Sequence, residues 1–353
     1  MALVSSPASY IYVCTRLRVR RSSLLPREDF LRMLNMDLSE IIRFIGESGY
    51  KKEIGELSML CAGTDLDLIE MALSWNMAKE FHKILEIVPE GLYRFTSAYL
   101  RRWDYQNVIK ILRGKAQGMK SGKIKEVLIP AGDLDREFLD RVLAEDSVEK
   151  VVDALSGARF AHIIKGVFAA GITDETLMTL ENELIKHYYE DLVKEAESGV
   201  KGGKIFLDWL KMEIDFKNIQ NLFRLRHFRE KGEVLSLMIP NGGISVADLV
   251  RLNGIEDREE FVSALKKKAA RFEPLYMALE DLRKERPIHE IEIALTRVLL
   301  HQMNFMSEMH PFSIYPVLTY LEKKMYEVTN LRTIARGKKV NLSTEEIKSY
   351  LVI

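Results

Sequence analysis

From Asp65 to Ile87 apolar side chains recur at three- and four-residue intervals, so that Leu66, Ile69, Leu73, Met77, Phe81, Ile84 and Leu85 mark one face of a helix. Comparable stretches fill most of the 353 residues, and no strand-like alternation of period two interrupts them. With only nine prolines and twenty glycines, the pattern predicts an all-α chain of helices joined by short loops.

One helix breaks its own pattern. In WDYQNVIKILR, from Trp103 to Arg113, Asp104 and Asn107 share a side with the apolar Val108 and Ile111. At ~100° per residue these four positions span only about 100° of the helix, so the carboxylate and the amide are expected to be buried. Buried, each needs hydrogen bonds or costs roughly 1 to 3 kcal/mol. They would serve either to pin a neighbouring segment or to line a cavity used by a partner.

The same departure occurs twice more, in IDFKNIQNLFR from Ile214 and in YEVTNLRTIAR from Tyr326. Aligning Asp104, Asp215 and Glu327 brings together Asn107, Asn218 and Asn330, and then Arg113, Arg224 and Arg336, at offsets of 111 and 112 residues. An acid, an Asn and an Arg at fixed spacing should match by chance at on the order of one start position in a few thousand. A second anchor agrees, since IEMAL at Ile69, LENEL at Leu180 and IEIAL at Ile291 recur at 111 and 111. A third consists of IKEVLIP from Ile124, VLSLMIP from Val234 and IKSYLVI from Ile347.

These anchors predict three helical repeats of about 111 residues, which is the sequence signature of an architecture built from one unit. What should follow the third copy resembles the other end of the chain: LLPREDFLRML, starting at Leu24, is similar to LIPAGDLDREFLDRVL, starting at Leu128. The third repeat is therefore expected to be split between the two termini, with units at 1–65 plus 285–353, 66–175 and 176–284. A linear solenoid has no reason to share a unit between its ends, so the pattern favours a closed arrangement around a pseudo-threefold axis.

Charge and cysteine content narrow the function classes. Fifty-two basic and fifty-two acidic residues cancel, leaving no overall field that would draw the chain to nucleic acid. Two cysteines, Cys14 and Cys61, make neither a disulfide framework nor a metal quartet, as in a reducing compartment. The opening residues carry no basic leader ahead of an apolar run, so no cleaved signal is expected. Nor does any stretch reach the ~18 apolar residues of a membrane span.

Catalytic motifs are not found. GMKSGKIK, from Gly118 to Lys125, has its glycines one residue too close for a phosphate loop, and Ile124 replaces the Ser or Thr that would hold magnesium. The histidines form no zinc-binding pair, His289, His301 and His310 being isolated, and no metal or cofactor is expected. No nucleophile elbow is present, and an all-α enzyme using Asp65, Asp67 and Glu70 is a reading without a paired-aspartate motif. Met303, Met306 and Met309 read as core filler. Arg16, Arg18, Arg20 and Arg21 form the densest charge cluster, either a solvated helix face or a partner contact; Arg113, Arg224 and Arg336 allow the same two readings.

The stretch from Tyr315 to Val352, with Glu327, Asn330, Leu331, Arg332, Arg336, Gly337 and Lys338, resembles the C-subunit family of archaeal-type (A-type) ATP synthases, the counterpart of the d subunit in eukaryotic vacuolar (V-type) ATPases. YIYVCTRLRVRRSSLL from Tyr10 extends the resemblance over the whole chain, with Cys14 and Thr15 in places where the family commonly has Asn and Ala. The resemblance implies a funnel of three similar helical domains. It also implies a non-catalytic socket, a monomer in isolation, that joins the membrane proteolipid ring to the D and F subunits of the central stalk at the cytoplasmic face of the membrane. No small-molecule substrate or nucleic acid is implied. Arg16, Arg18, Arg20, Arg113, Arg224 and Arg336 are then the candidate charged contacts. The competing reading is a helical scaffold outside the rotary machines.

Overall fold

The computed structural model describes residues 7–59, 63–169, 171–228, 234–269 and 273–353. Among these every regular element is helical, no strand is present, and no helix is long and apolar enough to cross a membrane. Cys61 lies outside the described residues.

The order of helices recurs. A long first helix spans Asp65–Ile87, Asp174–Ala196 and Ile288–Met309. A second follows as Glu90–Leu100 continued by Arg102–Ala116, then as Gly203–Phe228 and as Tyr315–Lys339. Next comes a short helix, at Ser121–Glu126, Val234–Leu237 and Thr344–Ser349. Three short helices complete the pattern after the first two of these, and a matching trio, Arg27–Met33, Leu38–Gly46 and Lys51–Ser58, lies near the start of the chain.

Local chemistry sets the ends of these helices. Thr64 and Thr173 each accept a hydrogen bond from the N–H three residues on, and Asp67 and Thr176 return the bond, so orphan amide groups of the first turn are satisfied. After Ala116 and Lys339 the chain turns through left-handed residues, Gly118 at φ 67° and Asn341 at φ 57°. The Met119 and Leu342 N–H groups then reach back to the carbonyls of Gly114 and Gly337 at 2.8 and 2.9 Å. Gly118, suggestive of a phosphate loop in the sequence, thus ends a helix.

Packing links the long helices into a cycle. Within each pair the first helix packs on the second, and each second helix packs on the next first helix: Arg102–Ala116 on Asp174–Ala196, Gly203–Phe228 on Ile288–Met309, and Tyr315–Lys339 on Asp65–Ile87. Leu73, Leu184 and Leu295, with Ile111, Leu222 and Ile334, are wholly buried in one continuous apolar core. Met303 belongs to that core, but Met309 is 61% exposed and does not fill it.

Candidate partner-binding cavity

The buried polar pairs bond to backbone. Asn107 Nδ2 donates to the Ile129 carbonyl at 2.7 Å and its Oδ1 accepts from the Ile129 N–H at 2.9 Å. Asn218 does the same to Ile239 at 2.8 and 2.8 Å, and Asn330 to Val352 at 2.8 and 2.9 Å. All three targets occupy the sixth position of the IKEVLIP, VLSLMIP and IKSYLVI segments. Each amide therefore holds both polar groups of one backbone residue that has left the helix.

The acids act beside them. Asp104 accepts from the Asp133 and Leu134 N–H groups at 2.8 and 3.0 Å, and Asp215 from the Ile244 N–H at 2.8 Å. Glu327 accepts from the Leu25 N–H at 2.6 Å, from the Tyr50 hydroxyl at 2.5 Å and from Lys324 at 2.7 Å. Leu134, Ile244 and Leu25 each precede the residue that opens a short helix, namely Asp135, Ser245 and Pro26. This corrects the register expected from the sequence: Leu25 corresponds to Leu134, and the resemblance of LLP to the LIP at Leu128 is misleading. Burial raises the Asp104 pKa from 3.8 to about 6, against the two N–H groups that favour its charged form.

Each repeated arginine reaches across to a neighbouring first helix. Arg113 pairs with Glu181, Arg224 with Glu292, and Arg336 with Glu70, the last at 2.5 Å. The three glutamates stand at the second position of the IEMAL, LENEL and IEIAL segments, so one repeated position meets another and the pairs return to their start. The third junction carries more charge: Arg332 Nε lies 2.8 Å from Glu70 Oε2 without its N–H being aimed there, and Arg332 Nη2 donates to Ser74 at 2.6 Å.

Between the second helices lies a cavity of about 590 Å³, lined from all three pairs by residues that include Lys110, Arg113, Lys217, Arg224, Glu322 and Tyr326. At one side of it Arg102, nearly enclosed, bonds Glu213 from the second pair at 2.8 Å and Glu322 from the third at 2.6 Å, its guanidinium 3.9 Å from the Tyr99 ring centroid. Tyr99 and Tyr189 hydroxyls donate to Glu322 and Glu213 at 2.8 and 3.0 Å. Sequence inspection misses this hub, although Arg102 and Glu213, 111 residues apart, occupy one repeat position with opposite charges.

Lys110 on the cavity wall donates to the Val127 carbonyl at 2.9 Å, as Asn221 does to Leu237 at 3.0 Å. Burial, followed by repulsion from Arg332 and Arg336, lowers its pKa to about 7. The N-terminal arginines stand apart from this cavity. Arg20 pairs with Glu80, Arg18 is exposed, and Arg16 lies over the Tyr12 ring at 5.7 Å. On the same helix the Cys14 thiol donates to the Pro311 carbonyl. Among the described residues no group of three or more His, Cys, Asp or Glu is arranged to hold a metal ion.

Fold and site together define an all-helical body, assembled from linked helix pairs, with a charged cavity between its second helices. The chain belongs to the ATP synthase (C/AC39) subunit family, whose family model matches residues 13–350. It is 35% identical to the A-type ATP synthase C subunit of Methanococcoides burtonii, over 99% of this chain and 95% of that protein. The corresponding A-type ATP synthase protein of Archaeoglobus fulgidus is 32% identical over 98% of this chain and 97% of its own length. For that of Halobacterium salinarum the figures are 34%, 99% and 99%.

Proposed function

We propose that this protein is the non-catalytic rotor adaptor of an A-type ATP synthase, a funnel of three repeats that joins the membrane proteolipid ring to the central stalk. Its units are 66–175, 176–284 and a third made from 1–65 with 285–353. It sits at the cytoplasmic face of the membrane and receives the tip of the stalk's D and F subunits. Rotation of the ring passes through it to the stalk, or in reverse when ATP is hydrolysed.

The observation that carries this reading is the cavity bounded by all three second helices, together with an Arg–Glu pair between each second helix and the next first helix. A body that transmits torque must resist shear between its parts, and the head-to-tail pairs and the Arg102 hub oppose that shear. Arg113, Arg224 and Arg336 keep 42%, 54% and 57% of their side chains exposed, so each can hold its glutamate and still face a partner. Arg16 and Arg18, with Arg20 beside them, offer a second charged surface on the terminal helix Pro7–Ser22. An interface that assembles and detaches belongs to the partly polar class of about 1,600 Å².

Titration calorimetry with the purified D and F stalk subunits tests the reading. A one-to-one complex with a dissociation constant at or below about 1 μM, or −8.2 kcal/mol, is expected. Charge reversal at Arg113 and Arg224 together should weaken it at least tenfold with an unchanged circular dichroism spectrum. No heat of binding at tens of micromolar would overturn it.

A further inference from the structure

Beside Glu327 and Asn330, where Val352 and Ile353 approach Leu24, Leu25 and Pro26, lies an open-mouthed cavity of about 840 Å³. At the corresponding place in the other two helix pairs the chain itself is packed onto the acid. A Cβ on Gly132 would collide with the Asp104 carboxylate, and one on Gly242 would lie 2.5 Å from Asp215 Oδ1. Glu327, with its longer side chain, reaches the Leu25 N–H directly.

The walls of this cavity are of two kinds. Leu24, Phe30, Pro274, Val298 and Leu300 make an apolar side. Arg21, Arg27, Arg297 and Lys323 bring four cations to the same space, and among the described residues none of them is in an ion pair. Arg297 donates to the Leu351 carbonyl at 3.1 Å. The acid in reach, Glu327, is already occupied by the Leu25 N–H, Tyr50 and Lys324. Burial first, and then the nearby Arg21, lowers the Lys323 pKa against the opposite pull of Glu308. Asn304 adds a buried Oδ1 without a donor.

We propose that this cavity is a binding site for an amphipathic phosphate, a hydrocarbon chain with a phosphate head. Four cations without ion-pair partners select an anion, and Arg and Lys side chains are suited to phosphate oxygens. The apolar side requires a ligand with a hydrocarbon part, and the volume falls within the roughly 300–1,000 Å³ of small-molecule sites. Two sources share this chemistry, a lipid held in a bilayer and a free alkyl phosphate. Filling the cavity braces the segment at Leu25 against the one at Val352. This site is separate from the cavity assigned to the stalk and does not rest on that assignment.

The full chain is titrated calorimetrically with monododecyl phosphate below its micelle concentration, and in parallel with inorganic phosphate and with dodecyl maltoside. One-to-one binding of the alkyl phosphate is expected, with binding at least tenfold weaker for the other two. Lys323→Gln should weaken it several-fold and Arg297→Gln with Lys323→Gln more than tenfold. Melting curves identify any variant that has lost its fold, and the single Lys323→Gln then decides. Equal affinity in wild type and Lys323→Gln, several alkyl chains bound per protein, or inorganic phosphate binding as tightly as the alkyl phosphate would each overturn the proposal. Flotation with phosphatidylglycerol vesicles, against phosphatidylcholine, separates the sources: flotation lost in Lys323→Gln identifies a bilayer lipid, and one-to-one alkyl phosphate binding without flotation identifies a free amphiphile.

Discussion

Arg336 Nε lies 2.5 Å from Glu70 Oε1 although 266 residues separate the two in the chain. Arg113 with Glu181 and Arg224 with Glu292 repeat the relationship at a sequence separation of only 68. The long-range pair therefore does across the chain what the other two do between successive helix pairs.

The three junctions differ in burial, and so should their energies. Arg224 is half exposed, and Arg224→Glu should cost about 1 kcal/mol or less, recovered when Glu292→Arg is added. Glu70 is 4% exposed and faces Arg332 and Arg336, with Lys110 close by. Glu70→Gln should cost about 3 to 5 kcal/mol by leaving those cations uncompensated. Urea unfolding of the variants measures both, and equal costs at the two sites would contradict the difference in burial.

At the hub, Arg102→Met strands Glu213 and Glu322, each at most 4% exposed, and should destabilise by about 3 to 5 kcal/mol. Converting both acids to Gln in the same protein should restore most of the loss. A triple variant no more stable than the single one would show that packing on Tyr99, and not charge, is what Arg102 supplies.

Asn218→Ala removes the side chain that bonds both polar groups of Ile239. Two buried backbone groups lose partners, so thermal or urea unfolding should report a cost of about 2 to 5 kcal/mol. Asn107→Ala should cost the same within about 1 kcal/mol, because its geometry to Ile129 is nearly identical.

Two groups give stability a pH dependence of opposite sign. The Asp104 pKa is raised from 3.8 to about 6, so the folded state binds its proton more tightly. Its contribution is greatest below about pH 4 and is lost as pH rises through about 6, a change of roughly 3 kcal/mol. Asp104→Asn should flatten the curve over that window. The Lys110 pKa is lowered from 10.5 to about 7, so the unfolded state holds more protons and stability rises between those values. Lys110→Asn, copying Asn221, should keep a bond to the Val127 carbonyl and abolish the rise. Unfolding followed from pH 4 to 10 tests both variants.

The apolar periodicity carries the all-helical class, and repetition marks the buried polar residues. One Asp or Asn on an apolar stripe is ambiguous, but Asn107, Asn218 and Asn330 at matched positions require a shared backbone target. The arginines are less legible, since opposing sides of a helix look like solvent until a partner helix is placed there. Their glutamates are visible in IEMAL, LENEL and IEIAL, yet joining the two sets needs the knowledge that each unit packs on the next. Arg102 is harder still, because its partners reside in two other units. The 840 Å³ cavity has no local sequence signal, because Arg21 and Arg27 meet Arg297 and Lys323 from the far end of the chain.

Leu25 and Glu327 are 302 residues apart in the chain and bonded in the fold. A ribosome therefore releases Leu25 long before its acceptor exists, and loop-closure entropy must be overcome late. Phe30 and Met33, on the helix Arg27–Met33 that packs on Tyr315–Lys339, stay incompletely buried until the last helix pair emerges, which exposes the newborn chain to aggregation.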